Sequence, residues 1–349
     1  MNRSSRMNVP FLLLWLNSGC NARCQTCEIW RNKTKTFISA KEVASMTRQW
    51  AAIGVTEVEL CGEPTLHPEL EGVCEVIHAL GISIRFLSNG LRLERYAPLV
   101  ARFGASLTVS LDGPPVIHNL VRNVPKAFPR LQRGIEAVRV LAGPGFPIYG
   151  RCAVHRLNYR HLQTTLATAR RIGLTYLSFI GLDVSSPAFG RDELAPDAKI
   201  QAGSLLIPRD ELQLLEEEVE QLILIESSAF DSGFIREAPQ VLRSVLTDYF
   251  KEQWGVSHDA GRKIQCNAPW MSAVIEPDGK VRPCWFLPPY GNLNDHPKGL
   301  ADLLNTEASR SYRDSIDVQE NPACRACICP RNFAASNPNA QDIQATGAE

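Results

Sequence analysis

The stretch FLLLWLNSGCNARCQTC, residues 11–27, decides how the rest of the chain is read. Phe11–Leu16 is an unbroken apolar run, the pattern of a strand buried on both faces. Directly after it comes Cys20-x3-Cys24-x2-Cys27, three thiols on one short loop. In a parallel α/β sheet the loops that follow strands lie at the carboxyl end, where active sites are assembled. Three thiolates can hold three irons of a cubane cluster and leave the fourth open, whereas a closed structural metal site ordinarily takes four ligands. An open iron implies chemistry at the cluster as well as electron storage. A zinc ion with a remote fourth ligand is the plain alternative.

Outward from this loop, short apolar runs alternate with amphipathic stretches as far as Asp183. The strand candidates are 11–16, 55–60, 82–87, 107–111, 148–154 and 176–182, with helical stretches near 39–53, 68–80, 92–103, 129–142 and 158–172. Ser39 and Glu42 have capping-box spacing. Gly54, Gly81, Gly104 and Gly173 stand where helices should stop. The alternation implies an α/β fold with a parallel sheet and right-handed crossovers, barrel-like or doubly wound. The pattern then breaks. Residues 184–208 read as loop, 209–228 and 238–254 as amphipathic helices, and 271–286 as a β-hairpin turning at Pro277-Asp278-Gly279. The tail after Pro330 reads as disordered.

A length of 349 residues suits two domains, or one with an appendage. With 44% hydrophobic and 21% charged residues, disordered and fibrous classes are excluded. The 37 Lys and Arg balance the 37 Asp and Glu, so there is no basic footprint for nucleic acid or an anionic membrane. Arg3 and Arg6 ahead of Phe11–Leu16 look like the start of a signal, but six apolar residues fall short of the roughly 7–15 that a secretory core needs. No run approaches the ~20 of a membrane span. The chain is therefore expected in the cytoplasm. Its eleven cysteines, an odd number bunched at 20–27 and 324–329, read as metal ligands rather than disulfide staples.

These residues resemble the radical S-adenosylmethionine (radical SAM) enzymes. Cys20-x3-Cys24-x2-Cys27 matches that family's cluster loop, and its other landmarks follow in order. Cys61-Gly62-Glu63-Pro64 is similar to the family's Gly-Gly-Glu-Pro segment, with Cys61 in place of the first glycine. Leu87-Ser88-Asn89-Gly90 resembles its Thr-Asn-Gly ending. Ser110-Leu111-Asp112-Gly113, with His118 and Arg122, resembles a segment that contacts the nucleoside. The resemblance implies a partial (β/α)6 TIM-like barrel over 1–183, with Gly62, Glu63, Ser88, Asn89, Ser110 and Arg122 binding S-adenosylmethionine beside a 4Fe–4S cluster on Cys20, Cys24 and Cys27. Taken alone, Gly62 is a turn glycine, Ser88, Asn89 and Ser110 are caps, and Arg122 is a surface ion-pair partner.

Cys266, Cys284, Cys324 and Cys327 form a second set. The hairpin brings Cys284 toward the Cys266 loop. The region 264–330 resembles the shortened auxiliary-cluster domain called twitch, which implies one auxiliary 4Fe–4S cluster; the fuller SPASM version uses seven cysteines. Cys329 is a fifth thiol that either replaces Cys324 or Cys327 or stays free. Structural zinc is the alternative here as well. Cys61, Cys74 and Cys152 read as small buried hydrophobes. Residues 184–263, a helical insertion or linker, match no motif.

The resemblance implies reductive cleavage of S-adenosylmethionine to methionine and a 5′-deoxyadenosyl radical, which takes hydrogen from a peptide or polar small-molecule substrate and leads to oxidation or bond formation. A reduced flavodoxin or ferredoxin is the implied electron partner. By strand parity Glu57, Glu59, Tyr149, Arg151 and His155 either face the lumen, with Asp183 similarly placed, or are solvated strand ends; the first favours a polar substrate. Nineteen residues precede Cys20, a departure from peptide maturases with a leader-recognition domain, which shifts weight toward a small molecule, or a peptide or protein bound without such a domain. The competing reading is a non-catalytic iron–sulfur protein that keeps the fold.

Overall fold

The computed structural model describes residues 7–33, 35–184, 186, 188, 203–256 and 264–333. Six parallel strands, β1 (Phe11–Trp15), β2 (Glu57–Cys61), β3 (Ser83–Ser88), β4 (Gly104–Ser110), β5 (Ile148–Val154) and β6 (Tyr176–Gly181), stand in the order β6-β5-β4-β3-β2-β1. Each pairs with its neighbour in sequence. A doubly wound sheet reverses its strand order at a switch point, and this one does not. The arrangement is that of a partial barrel.

The connecting helices are α1 (Ala40–Thr47), α2 (Leu70–His78), α3 (Leu93–Phe103), α4 (Pro115–Arg122), α5 (Ala127–Ala142) and α6 (Leu162–Arg171). Ser39 and Glu42 close the capping box on α1. Gly54, Gly81 and Gly173 take the left-handed conformation expected of helix stops. Gly104 does not: its φ is −78°, and it opens β4 directly from the end of α3. Helix α4, which precedes α5 without an intervening strand, was not visible as a periodic pattern.

Alternation along β1 assigns its two faces. Leu12, Leu14 and Leu16 join Val58, Leu60, Ile84 and Phe86 in the main core under the helices. Phe11 and Leu13 turn the other way, to Cys61 and Val274, with Trp15, Leu87, Trp285 and Phe333 packed around them. Both faces are therefore covered, which is why the run is apolar throughout.

The C-terminal hairpin is part of the same sheet. β7 (Ser272–Ile275) pairs parallel with β1, Phe11 opposite Ser272, and β8 (Lys280–Arg282) and β9 (Gly291–Asn292) follow antiparallel. Helices Leu300–Asn305 and Glu307–Asp314 complete this end.

At the other edge the insertion does more than pack as helices. Besides α7 (Leu212–Ile225) and the consecutive helical turns Pro239–Arg243, Ser244–Asp248 and Tyr249–Gln253, it supplies a short extended segment beside β6. Leu177 N–H donates to Phe234 O at 2.8 Å and Arg236 N–H to Leu177 O at 3.1 Å, covering part of that open edge. Most of the loop read over 184–208 lies outside the described residues. The disordered-tail reading is corrected for its first residues: Asn267 exchanges hydrogen bonds with Phe333 at 2.7 Å, and the Phe333 ring lies 5.0 Å from Phe11. Residues 334–349 lie outside the described residues.

His118 and His155 are buried in this scaffold, each with one ring nitrogen unpartnered. Burial first, then the nearby Arg122 cation, keeps both neutral, with His155 lowered to about 3. The unfolded chain takes up protons below a pH of ~6.5 that the folded chain refuses. We predict that stability is lost as pH falls from that value toward 3, by up to about 1.4 kcal/mol per pH unit for each histidine. Urea unfolding of the apo chain between pH 7 and 5 checks this; a flat profile contradicts it.

Candidate active site

The cluster loop is fixed from both sides. Asn17 donates to Glu63 O at 3.0 Å and accepts from Gly19 N–H at 3.1 Å, turning the chain out of β1. Arg23 and Gln25 N–H groups donate to the carbonyls of Arg122 and Val121 in the last turn of α4. Donors aim at the sulfurs: Ala22 N–H lies 3.4 Å from Cys20 Sγ, Asn89 Nδ2 3.6 Å from the same sulfur, and Arg122 Nη1 3.5 Å from Cys24 Sγ.

Gly62 and Glu63 both have positive φ, 79° and 73°. At Gly62 a Cβ would stand 1.9 Å from the Trp15 ring and 2.9 Å from Asn17 O, so this glycine is required by close packing as well as by its backbone angle. Gly62→Ala is predicted to displace Trp15 or the loop at a cost of at least about 2 kcal/mol. A thermal melt of the purified variant reads it, and a wild-type midpoint would refute it.

The turn at Glu63 folds its carboxylate inward. It accepts from Asn89 N–H at 2.7 Å, from Ser88 Oγ at 3.0 Å and from the Thr65 hydroxyl. Burial raises its carboxyl above the ordinary range, and these three donors pull it back. Ser88 is therefore a support for Glu63. Asn89 links the same carboxylate, through its backbone, to Cys20 and Asn21, through its side chain.

Arg122 forms a buried ion pair with Asp112 at 2.7 Å. Burial opposes its charge, and Asp112 and Cys24 outweigh that. Its guanidinium is thus aimed at the cluster loop and is no surface pair. His118, beside it in sequence, is turned into the core, where Nδ1 accepts from Asp112 N–H at 3.3 Å.

All of the residues singled out for the site meet in one cavity of about 320 Å³. Cys20, Cys24 and Cys27 line it with Gly62, Glu63, Ser88, Asn89, Ser110 and Arg122; Cys266, Cys284, Cys324 and Cys327 line it from the C-terminal end, and Cys329 is there too. None of the eleven cysteines is joined in a disulfide. Burial pushes Cys20 and Cys324 up to about 11 and Cys284 up to about 12. Thiols so placed ionise readily only against a bound metal, and the donors on Cys20 and Cys24 suit thiolate sulfur; the donor set fits iron–sulfur ligation. Cys327 Sγ accepts from Cys329 N–H at 3.3 Å, the same two-residue turn seen at Cys20. Among the described residues no three His, Cys, Asp or Glu side chains converge as closely as a single metal ion demands. A cubane takes one thiolate at each iron corner, a more spread arrangement.

The lumen-facing readings divide. Arg151 and Asp183 line the cavity. Glu57 pairs with Arg85 at 2.7 Å and Tyr149 stacks on Tyr176 at 4.1 Å, lower in the barrel. His155 is corrected: it is fully buried and lines no part of the cavity. Cys74 and Cys152 are core residues as read, whereas Cys61, also buried, belongs to the cavity wall. The aromatic wall of Trp15, Trp285, Phe286 and Phe333 was missed; only Trp15, on the odd positions of β1, had a periodic signal.

Two family models match the chain: "Radical SAM superfamily" over residues 16–169 and "Iron-sulfur cluster-binding domain", of SPASM type, over 266–328. Residues 16–169 carry a radical SAM domain and residues 266–328 a SPASM-type domain. Together they imply a 4Fe–4S cluster, bound S-adenosylmethionine and an auxiliary cluster. This radical SAM chain is 27% identical over 146 residues to a GTP 3′,8-cyclase of Stenotrophomonas maltophilia, covering 40% of this chain and 45% of that protein. It thus spans less than half the length of such curated relatives. Among solved structures it is similar to anSMEcpe with bound AdoMet (TM-score 0.62, 20% identity, 91% of this chain and 88% of that one). Streptococcus suis SuiB bound to S-adenosylmethionine gives 0.61 at 14% identity, covering 92% and 72%. Among the described residues no helix is long and apolar enough to cross a membrane.

Proposed function

We propose that this radical SAM chain abstracts hydrogen from a peptide or polar small-molecule substrate, leading to oxidation or bond formation in a biosynthetic pathway. The observation that carries the reading is the single cavity with thiols at both ends and polar strand-end groups between them. Cys20, Cys24 and Cys27 are the proposed ligands of the radical-generating cluster, and Cys266, Cys284, Cys324 and Cys327 of one auxiliary cluster, with Cys329 available to replace either of the last two. Bound together, the reduced cluster and S-adenosylmethionine supply a primary carbon radical able to attack an unactivated C–H bond.

The chain's own residues position and shield. Gly62 and Glu63 set the rim where the methionine end of the nucleoside would lie, and Ser88 and Asn89 lock Glu63 there. Ser110 lines the cavity. Arg122, occupied by Asp112, serves Cys24 more directly than the nucleoside. Arg122→Met should lower the cluster's reduction potential by removing a charged donor from sulfur, and an EPR-monitored redox titration checks it. The Arg151 guanidinium has no hydrogen bond or ion pair among the described residues, and it lines the cavity beside an apolar wall, which suits a substrate with one anionic and one apolar end. GTP 3′,8-cyclases are named for a nucleotide, and SuiB and anSMEcpe have each been solved with a peptide. Cysteines without disulfides suit a reducing compartment, the cytoplasm.

The test is anaerobic reconstitution followed by reduction. Release of 5′-deoxyadenosine is expected, with deuterium transferred into it from the correct labelled substrate. Intact clusters without any deoxyadenosine would favour the electron-transfer reading instead.

A further inference from the structure

The hydroxyl of Tyr312 is buried and has no hydrogen-bond partner. Tyr312 lies on the helix Glu307–Asp314, and it and Cys284 both pack against a cluster of Leu287, Ile316 and Cys324. It lines no part of the cavity, so it approaches these thiols from outside that space. Its ring stands edge-on to Tyr290 at 5.8 Å. Tyr290 is fixed in turn: its hydroxyl donates to Pro269 O at 3.3 Å, and the Arg313 guanidinium lies over its ring at 5.3 Å.

The four C-terminal sulfurs are unevenly served. Cys266 accepts from the backbone N–H groups of Ala268 and Arg331, Cys284 from those of Phe286 and Leu287, and Cys327 from Cys329 N–H at 3.3 Å. Cys324 Sγ accepts no hydrogen bond among the described residues. A donor without an acceptor and a sulfur without a donor thus share one packed cluster. A hydroxyl that leaves water without gaining a partner is costly and uncommon. Tyr312 reaches neither thiol directly, so the missing acceptor is something that the thiols hold.

We propose that Tyr312 donates its hydroxyl hydrogen to a sulfur of the auxiliary cluster and thereby sets that cluster's reduction potential. The inference rests on the functional reading above, since it takes Cys266, Cys284, Cys324 and Cys327 as that cluster's ligands. A hydrogen bond to cluster sulfur favours the reduced state, which carries one more negative charge, and raises the potential. A donor set outside the cavity does this without taking substrate space. The cluster becomes a better acceptor for one electron from a substrate radical: the substrate is oxidised, the cluster is reduced, and no bond to Tyr312 forms or breaks.

The experiment compares the reconstituted full chain with its Tyr312→Phe variant, which keeps the ring and loses only the hydroxyl. Iron is counted, and both proteins are titrated potentiometrically with EPR detection. The auxiliary signal is the one that added S-adenosylmethionine leaves unchanged. Equal iron contents are expected, with reduction of the auxiliary cluster about tenfold less favourable in the variant, a midpoint about 59 mV lower. The other cluster should not move. After exchange into heavy water, ENDOR of the reduced auxiliary cluster should show a coupled deuteron in the wild type that the variant lacks. An unchanged or raised midpoint overturns the proposal, and so do identical deuteron couplings in the two proteins. Loss of the auxiliary irons from the variant overturns it as well, by making Tyr312 a packing residue of the site. A wild type holding only about four irons sinks the two-cluster reading itself, whereas about eight irons without a shift sink the role of Tyr312 alone.

Discussion

Replacing Cys24 by alanine is expected to abolish 5′-deoxyadenosine formation and to remove about four of the roughly eight irons per chain that two cubane clusters would hold. Cys24 is the most deeply buried of the three loop thiols, and its sulfur receives the guanidinium of Arg122. Its loss leaves two thiols where three are needed and strands the Asp112–Arg122 pair, so Cys24→Ser should not rescue. Iron and sulfide analysis, with EPR of the reduced protein, reads the loss directly. A variant that keeps the full iron complement would disprove the assignment of Cys24.

The second large effect should come from Cys284→Ala, with a different signature. Cys284 sits just past β8 at the C-terminal end of the cavity, beside Cys266 and Cys324. Its removal is expected to cost the auxiliary cluster, again about four irons, while deoxyadenosine is still released under chemical reduction. Product from the true substrate should fall by at least tenfold, because any electron leaving the substrate loses its nearest acceptor. Coupling is the quantity to follow: the ratio of product to deoxyadenosine should collapse in Cys284→Ala, whereas both vanish in Cys24→Ala. An unchanged ratio would mean that the second thiol set has no part in the chemistry. Comparing Cys324→Ala with Cys329→Ala by iron content then shows which thiol completes the set.

The barrel was legible because its signals are local. Each strand is a short apolar run whose faces follow from parity, and each landmark, such as Gly62-Glu63-Pro64 or Ser88-Asn89-Gly90, ends a strand at the face where the thiols gather. What escaped was long-range or lacked a pattern. The partnership of β1 with β7 joins segments roughly 260 residues apart. Phe333 stands at the head of a stretch rich in Asn and Ala, yet its ring packs against Phe11. Segment 234–236 pairs with β6 although nothing in its composition says strand. His155 shares strand parity with Arg151, but β5 ends at Val154, and the turn beyond it carries the ring into the core, which parity could not foresee.

The pairing of β1 with β7 also bears on how the molecule is made. The strand that leads into the cluster loop leaves the ribosome roughly 260 residues ahead of its β7 partner, and one of its edges has no mate until residues 272–275 emerge. Until then that bare apolar edge is a template for pairing with another chain. Closing it needs contacts of very high sequence separation, the slow kind. A nascent chain stalled before Ser272, or one trimmed there, should carry this sticky border permanently and aggregate, even though every strand of the barrel is present.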